Sequence, residues 1–293
     1  PGSIELAQEG QCALMGVDAA VVVCEPEVSK ALMLAPLFKF LDDRNIPHML
    51  FINKMDTATH RVSEVLSALQ AVSSRPLVLR EVPIREGDQV TGYVDLVSER
   101  AYRYRPGEPS DLVRIPDELT SREQSARQQM LEILADFDDS LLEQLLEDTV
   151  PSRDEINAQL AKDFARDLIV PVFFGIAERD HGVRRLLKAL RHEVPGHEAT
   201  AARLGIPPGA EASALILKTY HQPHTGKLSL ARIWSGKIED GMMLGGVRVG
   251  GLFQMRGHEL QKRATAGPGE VIALGRMDPV KTGQVLTASA TPP

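Results

Sequence analysis

Apolar residues follow three rhythms along this chain. The first is the unbroken run. Residues 17–24 hold Val17, Ala19, Ala20, Val21, Val22, Val23 and Cys24 around a single Asp18. Such a run, without polar alternation, predicts a strand buried on both faces, as in a parallel sheet. Residues 46–52 and 168–174 repeat the pattern. After the first run, Leu32, Leu37, Phe38 and Leu41 recur at helical spacing and predict a helix over 29–44. Pro36 inside it predicts either a kink or a late start. Helices are also expected over 58–72 and 182–191. Strand, helix, strand, loop, helix predicts a parallel α/β sheet.

The second rhythm is alternation. Residues 77–103 alternate and carry the turn signals Glu86-Gly87-Asp88 and Thr91-Gly92, so hairpins are expected. One helix is expected over 120–147. Another starts at Ser152, with Glu155 completing a capping box. Residues 77–166 therefore read as an α+β insertion within an α/β domain spanning 1–195. The third rhythm follows a Pro- and Gly-rich linker at 196–211, holding Gly196, Gly205, Pro207, Pro208 and Gly209. Over 212–293, short alternating strands are separated by glycine turns, which predicts an antiparallel β-barrel.

Composition narrows this picture. Hydrophobic content of 43% and charged content of 25% are those of a soluble globular protein, and 4% aromatic residues leave an aliphatic core. A net charge of -7 argues against a generally basic nucleic-acid coat, although a local basic patch remains open. Cys12 and Cys24 have no metal-like spacing and fit small core hydrophobes in a reducing compartment, the cytoplasm. No apolar run approaches the ~20 residues of a membrane span. The chain opens on Pro1-Gly2 without methionine or signal-peptide pattern, so a cut or processed end is expected.

The chemistry concentrates at Asn53-Lys54-Met55-Asp56, just past the second apolar run. Ligands of parallel sheets bind beyond the carboxyl ends of strands. A carboxylate placed there can accept both the N1 and N2 hydrogens of guanine. Adenine lacks that donor pair and would leave the acid unpaired. Asn53 would brace neighbouring loops, and the Lys54 stem would lie against base and ribose. The plainer reading is a polar turn that caps the next helix. A second guanine-reading segment is expected after the run 168–174, where Gly175, Ile176 and Ala177 follow Phe174. There the Ala177 N–H would meet the base oxygen.

Several segments in order resemble elongation factor G from its third nucleotide motif onward. They are Pro1-Gly2, Gly16-Val17-Asp18-Ala19-Ala20, Phe51-Ile52-Asn53-Lys54-Met55-Asp56, Gly92-Tyr93-Val94-Asp95-Leu96-Val97 and Gly175-Ile176-Ala177. The tail adds Ala214-Leu215-Ile216-Leu217-Lys218, Arg232-Ile233-Trp234-Ser235-Gly236 and Ala266-Gly267-Pro268-Gly269-Glu270. The resemblance implies the C-terminal portion of a P-loop-NTPase-type G domain, with the family's extra subdomain, followed by its second-domain barrel. It implies GTP or GDP as cofactor, with Gly2 donating its N–H to the terminal phosphate. It also implies a cytoplasmic, monomeric parent that works on ribosomal RNA and protein, with no membrane partner.

Three departures qualify the resemblance. The phosphate loop, Gly-x-x-x-x-Gly-Lys followed by Ser or Thr, is absent: Gly226-Lys227 precedes Leu228, and Gly236-Lys237 precedes Ile238. The chain is thus expected to be a fragment that is inactive alone, with Mg²⁺ bound only in the full-length parent. Ser3 stands where the family has the histidine that positions the attacking water, so no catalytic residue is assigned. Ile176 replaces a small hydroxyl residue. Two rivals stay open: a non-catalytic module docking on the ribosome or RNA, and a ribosome-protection or release-type relative. His181 and His192 read as surface or structural. Arg248, Arg256, His258, Lys262 and Arg263 form a basic strip, either solvated or facing RNA phosphates. Asp136, Asp138, Asp139, Glu143, Glu147 and Asp148 form an acidic helix face open to a partner.

Overall fold

A computed structural model describes residues 3–206, 209, 211–222, 226–257 and 259–289. Its internal contacts divide it into two compact units, Ala19–Val194 and a second made of Pro1–Asp18 with Pro195–Pro293. Helix α1 (Ala7–Leu14) belongs to the second unit.

The first unit opens with β1 (Ala20–Cys24), α2 (Ala35–Asp43), β2 (His48–Ile52), α3 (Val62–Gln70) and β3 (Leu77–Leu79). Four strands follow: β4 (Glu81–Glu86), β5 (Gln89–Asp95), β6 (Arg100–Arg105) and β7 (Glu108–Val113). Helices α4 (Thr120–Ala135), α5 (Asp139–Leu146) and α6 (Arg153–Ala165) lead to β8 (Val170–Phe174) and α7 (Val183–Glu193). Strands β1, β2, β8 and β3 form a parallel sheet in that order, while β4 to β7 form an antiparallel meander.

Every residue of β2 and β8 is buried, as their unbroken apolar runs require. Strand β1 departs from that expectation. It pairs only with β2 among the described strands, and Val23 is 57% exposed. Pro36 delays its helix rather than kinking it: a 3₁₀ segment, Val28–Leu34, runs first, and Pro36 sits in the opening turn of α2. The helix expected over 120–147 is two helices. It breaks because the Asp138 carboxylate accepts the Leu141 N–H and caps a new start. At α6 the reciprocal Ser152–Glu155 capping box is present.

The meander keeps a small cluster of its own, Ile84, Val94 and Ala101, but the larger core it and its helices build is shared with the parallel sheet. Met49, Phe51, Val78 and Phe173 of the sheet share one cluster with Val82, Leu96, Met130, Leu134, Leu160 and Phe164. Full burial of such a side chain stabilises by roughly 1.5–3 kcal/mol. The parallel edge strand β3 lies inside 77–166, so antiparallel pairing begins only at Glu81. Because β3 ends at Leu79, the Phe174 N–H of β8 has no ladder partner there. The Glu81 carboxylate accepts it at 3.0 Å.

In the second unit, α8 (His197–Arg203) falls within the span 196–211. Strands β9 (Ser213–Gln222), β10 (Gly226–Ser235), β11 (Ile238–Glu239), β12 (Met243–Leu244), β13 (Val247–Arg248) and β14 (Leu252–Arg256) follow. The last are β15 (Glu259–Arg263), β16 (Thr265–Ala266), β17 (Val271–Gly275) and β18 (Val285–Thr287). Six make an antiparallel sheet in the order β15-β14-β17-β10-β9-β18, with the small ladders β11–β16 and β12–β13 beside it. This barrel-like arrangement closes over an aliphatic core that includes Ile216, Ile233, Leu252, Ile272 and Leu274. Asp18 anchors to it, accepting from Arg232 and Thr200 at 2.8 Å each.

Candidate functional site

The carboxyl ends of β1, β2 and β8 meet at one edge of the parallel sheet, and backbone bonds fix the loops that leave them. Asn53 N–H donates to Cys24 O at 2.8 Å, Gly175 N–H to Ile52 O at 2.9 Å, and Met55 N–H to Gly175 O at 3.1 Å. These bonds hold Lys54 in the left-handed region, at φ 58° and ψ 41°, a conformation a non-glycine residue adopts only when its surroundings impose it. Met55, buried beneath, anchors the turn.

The side chains then lock the loops together. Asn53 Oδ1 accepts the Ala177 N–H at 2.9 Å, joining the loop after β2 to the loop after β8. Asp56 pairs with Arg179 at 3.5 Å. Lys54 reaches Glu25, the residue that follows β1, at 2.5 Å. Hydrogen bonds from Lys30 and from Lys54 hold the Glu25 carboxyl down at about 2.

The segment after β8 tolerates little change. A Cβ on Gly175 would stand 2.1 Å from His181 O and 2.8 Å from the Phe51 ring. Ile176 and His181 exchange backbone hydrogen bonds at 3.0 and 3.1 Å and close the loop between them. The Ile176 side chain is buried, which accounts for an apolar residue here. His181 stacks on Tyr104 with ring centroids 4.5 Å apart. Burial first, then the Arg179 cation, pushes its pKa down.

Of the residues singled out from sequence, Asn53, Lys54, Asp56, Gly175, Ile176 and Ala177 are brought together at this edge. Gly2 lies outside the described residues, and Ser3 is an exposed residue of the other unit whose carbonyl accepts the Leu6 N–H. Sequence reasoning passed over Glu25, Lys30 and Arg179. Glu25 was within reach, because it directly follows an apolar strand at the same sheet edge.

The fit to a metal is poor at this edge. Of the carboxylates nearby, Glu25, Asp56 and Asp180 are engaged by cations. Among the described residues, the clustered group with metal-ligand atoms is Asp42, His48 and Asp167. His48 opens β2, at the opposite end from Asn53.

Residues 1–196 match the elongation factor Tu GTP-binding domain family, and residues 211–289 match elongation factor G domain 2. An elongation factor G-like protein of Synechocystis sp. is 48% identical over 295 residues, covering 100% of this chain and 44% of the relative. A crystal structure from Thermus thermophilus superposes with a TM-score of 0.84 at 25% identity, covering 100% of this chain and 44% of that one. The chain thus spans less than half the length of either. With a parallel-sheet G domain, a barrel-like second unit and loops tied at the sheet edge, the chain belongs to the elongation factor G-like translational GTPases, a family that binds guanine nucleotides.

Proposed function

We propose that this chain supplies the guanine-reading half of a nucleotide site, with Asp56 accepting from the base N1 and N2 hydrogens. The observation that carries this reading is the Asn53–Ala177 bond, which ties the two strand-end loops a base would sit between. Since Asn53 already holds the Ala177 amide, a base oxygen reaching it shares that hydrogen or displaces the asparagine. Asp56 exchanges Arg179 for the base. At 3.5 Å and with Arg179 55% exposed, that pair costs only about 0–1 kcal/mol to release. Lys54 lies against base and ribose, Gly175 and Ile176 shape the loop, and Gly2 addresses the terminal phosphate. Mg²⁺ is assigned no residue here and accompanies the phosphates in a longer protein.

The whole protein is read as a cytoplasmic, monomeric, ribosome-associated factor that binds and releases the ribosome with the state of its nucleotide. Residues 1–195 would be the C-terminal portion of its G domain, with the insertion at about 77–166, then a linker at 196–211 and the barrel at 212–293. Ser3 favours a second reading, a docking module that does not hydrolyse GTP, because a serine cannot orient water as an imidazole does. Equilibrium titration with GDP and ADP, followed by ribosome-stimulated hydrolysis in the full-length protein, separates these readings. GDP preferred at least tenfold over ADP, lost in Asp56→Asn, is the expected result. Hydrolysis raised by Ser3→His marks a slowed GTPase. Ribosome association without guanine preference establishes the docking module.

A further inference from the structure

A groove of about 640 Å³ opens in the first unit between the meander and helices α6 and α7. The chain carries a net charge of -7. Yet seven arginines and lysines line this groove against four acids. That reversal is unevenly neutralised. Arg105 pairs with acids of its own hairpin, Arg184 with Asp180 just ahead of α7, and Arg80 and Arg185 with Glu193 and Asp95 at 2.7 Å. The side chains of Arg100, Arg153 and Lys188 make no hydrogen bond or ion pair among the described residues.

Two further features separate the groove from an ordinary solvated face. Within the wall, Arg80 Nε and Tyr104 Oη are buried without a partner, in side chains 1% and 8% exposed. Such orphaned donors are costly inside a protein unless a ligand or water meets them. The volume falls within the range of small-molecule sites, roughly 300–1,000 Å³. Tyr102, half-buried and stacked on Tyr93 at 5.2 Å, adds an aromatic surface.

We propose that this groove is a second anion site, taking a small ligand with a chain of phosphate groups, held by Arg100, Arg153 and Lys188. Guanidinium forks match phosphate oxygens in pairs, and cations set on three separate elements suit several linked charges better than one. The three cations lie on β6, α6 and α7 and Asp56 is not among the lining residues, although Asp180 and Gly182, just past the loop after β8, are.

The test is calorimetric titration of the protein with tripolyphosphate in saturating GDP, so that the nucleotide site is already filled. Saturable binding at one site per chain is expected. Arg153→Ala with Lys188→Ala should weaken it at least tenfold while leaving GDP affinity unchanged. Arg103→Ala removes an exposed arginine paired with Glu86 outside the groove, and should leave binding intact. ATP displaced by tripolyphosphate would identify a nucleotide tail as the source of the phosphates. ATP that fails to bind would identify free oligophosphate. Absence of saturable binding overturns the site. So does binding unchanged by the double substitution, or weakened equally by Arg103→Ala.

Discussion

Single residues at the sheet edge are constrained by partners far away in sequence. Asn53 holds the Ala177 amide across 124 positions, and Lys54, with the nearer Lys30, hydrogen-bonds to Glu25 and holds its carboxyl down at about 2. A depressed carboxyl pKa contributes stability above the unfolded value near 4.5, and that contribution is lost as pH falls through about 2. NMR titration should therefore find Glu25 ionised down to about pH 2. Lys30→Met and Lys54→Met should each raise its pKa. Gly175 gives a second prediction. Its Cβ would stand 2.1 Å from a backbone oxygen, so Gly175→Ala should destabilise by about 2–4 kcal/mol in chemical denaturation. Asn53, Asp56 and Gly175 could be read from sequence because a motif and an apolar strand coincide there. Arg179 could not be assigned, because its contact with Asp56 spans many intervening residues; Glu25 follows an apolar strand but carries no motif that names its partners.

Among the elements, β4 acts on the neighbouring sheet through its first residue. Burial pushes the Glu81 carboxyl up to about 7, against the opposing pull of Arg185 and the Phe174 N–H. Between about 4.5 and 7 the folded chain holds a proton that the unfolded chain has lost, so stability falls as pH rises through that window. The loss is on the order of 3 kcal/mol once pH exceeds the folded value. Denaturation between pH 5 and 8 should show this slope, and Glu81→Gln should flatten it. Sequence patterning found most elements, yet it ran α4 and α5 together. Leu131, Leu134, Phe137 and Leu141 keep helical spacing through the break, and Asp138, which makes the break, is one of several acidic residues there. Likewise, an apolar run reveals a strand but not its neighbours, so β1 looked as enclosed as β2.

At the scale of the whole molecule, the order of α/β elements, meander and barrel was legible because each has its own hydrophobic period. The sharing of one core between parallel sheet and meander was not, since period says which face is apolar and not what covers it. That sharing predicts cooperative loss. Phe164→Ala, on α6, should cost about 3–5 kcal/mol and lower the protection of β2 and β8 amides in hydrogen exchange as much as that of the meander. Protection lost in the meander alone would contradict a common core.

The Glu81 carboxylate has a consequence for how this protein could be rebuilt. It finishes a strand ladder that β3 leaves short, so the segment that looks like an optional ornament completes the sheet into which it is spliced. A hybrid with a foreign insertion grafted in at residue 81 would inherit an unsatisfied amide at Phe174 and an uncovered sheet face. To survive, the graft would have to bring its own acid and its own oily underside. The seam between host and guest therefore lies among interior side chains, deeper than any cut made at the surface loops.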